Sequence, residues 1–161
     1  MLKKLTFNKL FPIITQLKTK NVKELKINHL AVWAGFVLLT ALGFLWYGPL
    51  FGEKWMAMVG LDADKVAANP PGAGVWIANV IATIVPMYTL AWLFTKLKVE
   101  SAMAGAGYGF LIAFSFVLLS TMTSDMFAQN PYGLSWITGG FSLVGLTLAG
   151  LLLGAWRKYA A

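Results

Sequence analysis

Residues 43–56 read Gly43-Phe44-Leu45-Trp46-Tyr47-Gly48-Pro49-Leu50-Phe51-Gly52-Glu53-Lys54-Trp55-Met56. The stretch begins as the end of an apolar run and finishes as an amphipathic segment. Trp46, Tyr47, Phe51 and Trp55 are large rings that carry or adjoin a polar group, and such rings collect where hydrocarbon meets headgroups. Gly48-Pro49 breaks the run, because the residue before a proline is pushed out of the helical region and the proline has no N–H to donate. The stretch therefore reads as the outer membrane boundary of the first of several spanning helices.

Working back from it, Ile27 to Tyr47 holds no acid, lysine or arginine, and its single histidine, His29, stands at the start. About 20 apolar residues cross a hydrocarbon core of ~30 Å. Three more runs of this kind follow, at 75–94, 102–122 and 134–155. The chain of 161 residues is 58% hydrophobic with a mean hydropathy of +0.70, more than a soluble core needs. The fold class predicted is all-α: a polytopic membrane protein built as a four-transmembrane-helix bundle over residues 27–158, preceded by a basic arm at 1–26.

Charge fixes the expected orientation. Eleven of the 13 lysines and arginines fall in the arm, the Lys96–Glu100 loop and the C-terminal tail. Only Lys54 and Lys65 fall in the two opposite loops. Lysine and arginine mark the cytoplasmic side, so both termini are expected in the cytoplasm, as an even number of spans requires. The net charge of +7 is thus a topology signal, and nucleic acid is not an expected partner. The arm has seven lysines among residues 1–26 with apolar residues interleaved. Its apolar run Leu10–Ile14 is too short for a signal peptide. It reads as an amphipathic segment on anionic lipid or as a mobile basic tail.

With no cysteine and one histidine, disulfides, thiolate nucleophiles and multi-histidine metal sites are excluded within the chain. Asp62 and Asp64 lack the later glycine and glutamate of a calcium loop, and Asp62 reads instead as the cap of a short helix ending before Asn69-Pro70-Pro71-Gly72. No cofactor or metal is expected. His29 reads as a polar residue at the inner interface. Pro86 predicts a kink in the second span, with Thr83 and Thr89 available to the freed backbone groups. Asn79, an amide at membrane depth, should face another helix. With Thr83, Ser120, Thr121 and Asp125 it forms the candidate ligand or interhelical polar set. Gly105 with Gly109, and Gly150 with Gly154, have the four-residue spacing that lets helices approach closely. Trp46, Tyr47, Trp55, Trp76, Trp136 and Trp156 are the expected interface anchors.

Asn28, Leu30-Ala31-Val32, Gly43, Trp46 to Gly52 and Lys54-Trp55-Met56, together with Ile137 to Val144, Gly150 and Trp156-Arg157, resemble the signatures of a family of small four-helix bacterial membrane proteins known as domain of unknown function 1761. The resemblance covers about Ile27 to Lys158. It implies the four-span architecture and assigns no activity; the expected location is a bacterial inner membrane.

Three functions compete on these residues. A non-catalytic module or accessory subunit would pack through the glycine-rich faces against other membrane helices, in a homo-oligomer or a larger complex, unless those faces only pack the four helices of one chain together. An oligomeric carrier or channel for a small neutral or apolar solute would line a pocket with Asn79, the Pro86 bend and the hydroxyls of Thr83, Ser115, Ser120 and Thr121. An enzyme would have to pair Glu53 with Asp125 at the outer face. The first is the expectation, with no enzymatic activity.

Overall fold

A computed structural model describes residues 24–160. The arm lies almost wholly outside the described residues. Two short strands, β1 (Leu25–Lys26) and β2 (Lys158–Tyr159), pair antiparallel. Between them run six helices: α1 (His29–Leu50), α2 (Gly52–Val59), α3 (Ala63–Ala68), α4 (Ala73–Leu97), α5 (Ala102–Phe127) and α6 (Tyr132–Ala155). Four of them, α1, α4, α5 and α6, have 22–26 residues and the hydropathy to cross a bilayer. The chain is an all-α, four-span membrane protein, as its sequence implies.

Local chemistry sets where each helix begins and ends. The Asn28 side chain accepts from the Ala31 amide and starts α1. At the other end of α1 the backbone widens into a π turn over Trp46–Leu50, and Gly48 leaves helical geometry at φ −100°, ψ −107°. Gly60 closes α2 in the left-handed conformation at φ 69°. The Asp62 carboxylate accepts from the Asp64 amide at 2.9 Å and caps α3. Ser101 caps α5 by accepting from the Ala104 amide at 3.1 Å. Each of the four spanning helices extends past its expected apolar stretch at one end or both, because backbone hydrogen bonding continues beyond the apolar run: α4 runs to Leu97 and α5 to Phe127.

The expectation for the threonines flanking Pro86 needs a correction. The backbone of α4 stays helical from Ala73 to Leu97 with Pro86 inside. Neither neighbouring threonine serves the Ala82 carbonyl that the proline deprives of a donor. Each reaches back one turn on its own helix instead: Thr83 Oγ1 donates to the Asn79 carbonyl at 2.8 Å and Thr89 Oγ1 to that of Val85 at 3.0 Å.

Helix α6 is the centre of the bundle, with nine buried residues spread from Leu134 to Gly154. Helix α5 lies along it in very close contact. A Cβ on Gly105 would collide with the Gly150 carbonyl oxygen, and one on Gly109 with that of Leu146. Both close approaches lie within one chain, and small residues are what permit them. Helices α1 and α4 close the other side, but only over half their length. The core there is Ala31, Val32, Met87, Leu90, Phe94 and Leu153. Met87 fills the space left by Gly35, where a Cβ would strike its Cε.

All of these core residues lie toward the end of the bundle that carries β1 and β2, here called the termini end. The ribbon there is a feature that no hydropathy pattern announces. Asn28 Nδ2 donates to the Trp156 carbonyl at 3.0 Å, and the Ala160 amide donates to the Glu24 carbonyl at 2.7 Å. At the opposite, loop end, every residue of α4 from Ala73 to Ala82 is exposed.

Candidate functional site

Where α4 departs from the bundle it leaves a cleft of about 700 Å³, lined by α1, the start of α2, α4 and α6, with Val117 of α5 at its edge. That volume lies within the range of small-molecule sites. Its lining follows helical spacing on each wall. Thr40, Gly43 and Tyr47 come from α1; Asn79, Thr83 and Pro86 from α4; Phe141, Ser142 and Gly145 from α6. Glycine at 43 and 145 keeps the walls low. A Cβ at Gly145 would already be 3.0 Å from Leu39 Cδ2.

The cleft is mostly aromatic and aliphatic. Tyr47 stacks edge-on to Trp55 with ring centroids 5.4 Å apart and lies 5.4 Å from Phe141. Of its polar groups, Thr40 and Thr83 have spent their hydroxyl hydrogens on their own helices. The Asn79 carboxamide, the Tyr47 hydroxyl and the Ser142 hydroxyl have no hydrogen-bond partner among the described residues. With the indole N–H groups of Trp55 and Trp76, which also line it and have no partner among the described residues, the cleft offers one amide, two hydroxyls and two indole donors to an otherwise apolar occupant.

The structure divides the expected polar set between the cleft, an interhelical contact and the surface of α5. Asn79 faces a cleft and touches no polar group of another helix, because the loop-end half of α4 stands away from α6. Ser120 is exposed and Thr121 half-buried on α5, and neither they nor Ser115 lines the cleft. Thr83 does line it. Asp125 belongs to a separate knot, where its two carboxylate oxygens accept from Asn130 Nδ2 at 2.9 Å and from Ser135 Oγ at 2.7 Å. Ser135 is 1% exposed, so this knot ties the end of α5 to the start of α6 and leaves no free carboxylate pair. Glu53 is exposed on α2 and is not a partner of Asp125.

Trp46 also departs from its assigned role. It turns inward and donates Nε1–H to the Ile137 carbonyl at 2.9 Å, resting on Gly140, where a Cβ would be 3.4 Å from the indole. Trp76, Trp136 and Trp156 are about half exposed. His29 shares a hydrogen bond of 3.1 Å between Nδ1 and the Tyr88 hydroxyl, joining α1 to α4. Among the described residues no group of three His, Cys, Asp or Glu could hold a metal ion.

The cleft residues left a trace in the sequence. Thr40, Gly43 and Tyr47 recur at three and four residues, as do Asn79, Thr83 and Pro86, each a small or polar stripe on an apolar helix. Without a partner wall, neither stripe identifies itself as a lining.

Comparison with known proteins gives a family and a distant likeness. The Na(+)/H(+) antiporter NhaA 1 of Pseudomonas putida (strain KT2440) is 23% identical over 143 residues. The match covers 86% of this chain and 33% of that protein, so the chain spans about a third of the relative's length. No solved structure matches. Residues 30–154 match the family described as protein of unknown function DUF1761. That match runs from the start of α1 to the end of α6 and includes every residue lining the cleft, with Asn28 and Trp156-Arg157 of the two signatures just outside it, and the chain belongs to this family.

Proposed function

We propose that the chain is a non-catalytic membrane module whose cleft binds a small neutral, largely apolar molecule. One observation carries this reading: a cleft of about 700 Å³ at the loop end presents the unpartnered Asn79 carboxamide within an aromatic wall. In hydrocarbon an unpaired amide is costly, and a ligand with one hydrogen-bonding group would relieve it. The four spans carry a single acidic side chain, Asp125, in the last turn of α5 and outside the cleft lining, which favours an uncharged occupant over a cation. The likeness to an antiporter gives this reading a transport version, in which oligomers carry the bound solute across.

An accessory role is the second reading. The exposure of α4 from Ala73 to Ala82 favours a helix of another membrane protein seated against the same surface. The glycine faces are engaged internally, so they are not its docking surface. Both readings place the chain in a bacterial cytoplasmic membrane with both termini inside and the basic arm on anionic lipid. They involve no nucleic acid, cofactor or metal.

Gentle-detergent extraction from native membranes followed by native mass spectrometry tests the proposal. A bound small-molecule mass, lost on Asn79→Leu and on the cleft-filling Thr83→Phe, supports binding. A stoichiometric complex with another membrane protein supports the accessory reading. A bare chain whose behaviour ignores both substitutions overturns the cleft's role. A reporter fused after Ala161 that signals an external C-terminus overturns the orientation.

A further inference from the structure

We infer that Lys26 and Lys158, with Arg157 beside them, bind the phosphate of an anionic lipid headgroup at the termini end of the bundle. The two lysines are directly opposed in the antiparallel register of β1 and β2. Directly opposed residues share a face of the ribbon, and like charges so placed destabilise the pairing. A ribbon of two residues per strand has little pairing energy of its own to offset this. Nevertheless the ribbon forms, and it ties the entry of α1 to the exit of α6.

The surroundings do not neutralise it. Among the described residues at this end, Glu24 and Glu100 stand against Lys26, Lys96, Lys98, Arg157 and Lys158. A small cavity of about 30 Å³ opens at the foot of the ribbon, lined by Lys26, Arg157 and Lys158 together with Asn28 and Thr95. It has room for one oxygen-sized atom. A phosphate set on the ribbon could place one oxygen there while the others meet the lysine and arginine heads, a donor set suited to phosphate. The source is a lipid because of depth. The ribbon sits where the spans end, in the headgroup layer, and Trp156, 43% exposed, offers an apolar flank to the acyl chains.

The test is amide hydrogen exchange of the full chain in nanodiscs, read on peptides covering residues 24–28 and 156–160. In discs containing phosphatidylglycerol, protection of these segments should rise on the order of tenfold over pure phosphatidylcholine discs. The K26Q/K158Q variant should lose that dependence and be at least as protected as the wild type in phosphatidylcholine, since the repulsion is gone. The lysines of residues 1–23 remain in the variant, so general surface attraction is controlled. Equal protection in the two lipids overturns the proposal, as does an unchanged lipid response in the variant. Inorganic phosphate added to phosphatidylcholine discs should not substitute; if it does, the site takes a free anion and the assignment to lipid fails.

Discussion

Gly105 on α5 and Gly150 on α6 meet backbone to backbone, so that a Cβ on either would collide with the other's carbonyl oxygen. The contact joins the two most extensively packed spans, and no side chain can give way there. Gly105→Ala should therefore destabilise the bundle by about 1–3 kcal/mol, the usual cost of overpacking. Gly107, two residues along the same helix, has open space around it. Gly107→Ala should leave stability unchanged or raise it by up to about 1 kcal/mol through helix propensity. Reversible unfolding in mixed micelles compares the two. Equal stability of both variants would show that α5 and α6 are not in backbone contact.

The Asp125–Ser135 pair makes a second case, because one partner is fully enclosed. Removing the carboxylate leaves the Ser135 hydroxyl without its acceptor, and an unsatisfied buried hydroxyl costs about 1–3 kcal/mol. Asp125→Ala should show that loss, whereas Asp125→Asn keeps an acceptor oxygen and should lose less. A double-mutant cycle with Ser135→Ala should return a coupling of about 0.5–3 kcal/mol. A coupling of zero would mean that the knot does not tie α5 to α6.

Asn28 has two tasks that substitution can separate. Its Oδ1 caps α1 and its Nδ2 holds the Trp156 carbonyl. Asn28→Asp keeps the cap and loses the donor, and should cost about 1 kcal/mol. Asn28→Ala loses both and should cost about 2 kcal/mol, since a missing cap adds about 1 kcal/mol more. The same unfolding assay reads the difference. If the two variants are equal, the cap or the link contributes nothing.

These cases show what a membrane sequence discloses. Length and hydropathy identify the four spans because an apolar run of about 20 residues has no other stable setting. The Asp62 cap and the glycine pairs are legible because they depend on residues a few positions apart. The cleft was only half legible. Asn79 and Thr83 stood out as polar residues at depth, but Thr40, Tyr47 and Ser142 did not. Ser120 and Thr121 looked equally suitable and face elsewhere. In a soluble helix the polar face reveals which way the helix is turned. Helices α1 and α4–α6 are apolar all round, so their rotation is set by packing alone. Trp46 illustrates the same limit, since an aromatic at a boundary suits headgroups and a neighbouring helix equally well. The ribbon of β1 and β2 was illegible because two residues per strand carry no period.

Asn79 decides between an open site and a filled one, and a single substitution separates them by sign. In the isolated chain its carboxamide faces an apolar cleft and has no partner among the described residues. Asn79→Leu then removes an unpaired polar group from hydrocarbon and should raise the stability of the purified, ligand-free chain by about 1–3 kcal/mol. In native membranes, where an occupant bonds the amide, the same change should remove that partner and give no such gain. A stabilisation seen only after ligand is stripped fits a binding cleft. A loss of stability in the purified chain would mean that Asn79 already has a permanent partner, such as a second copy retained through purification, and native mass spectrometry of that sample would show the doubled mass.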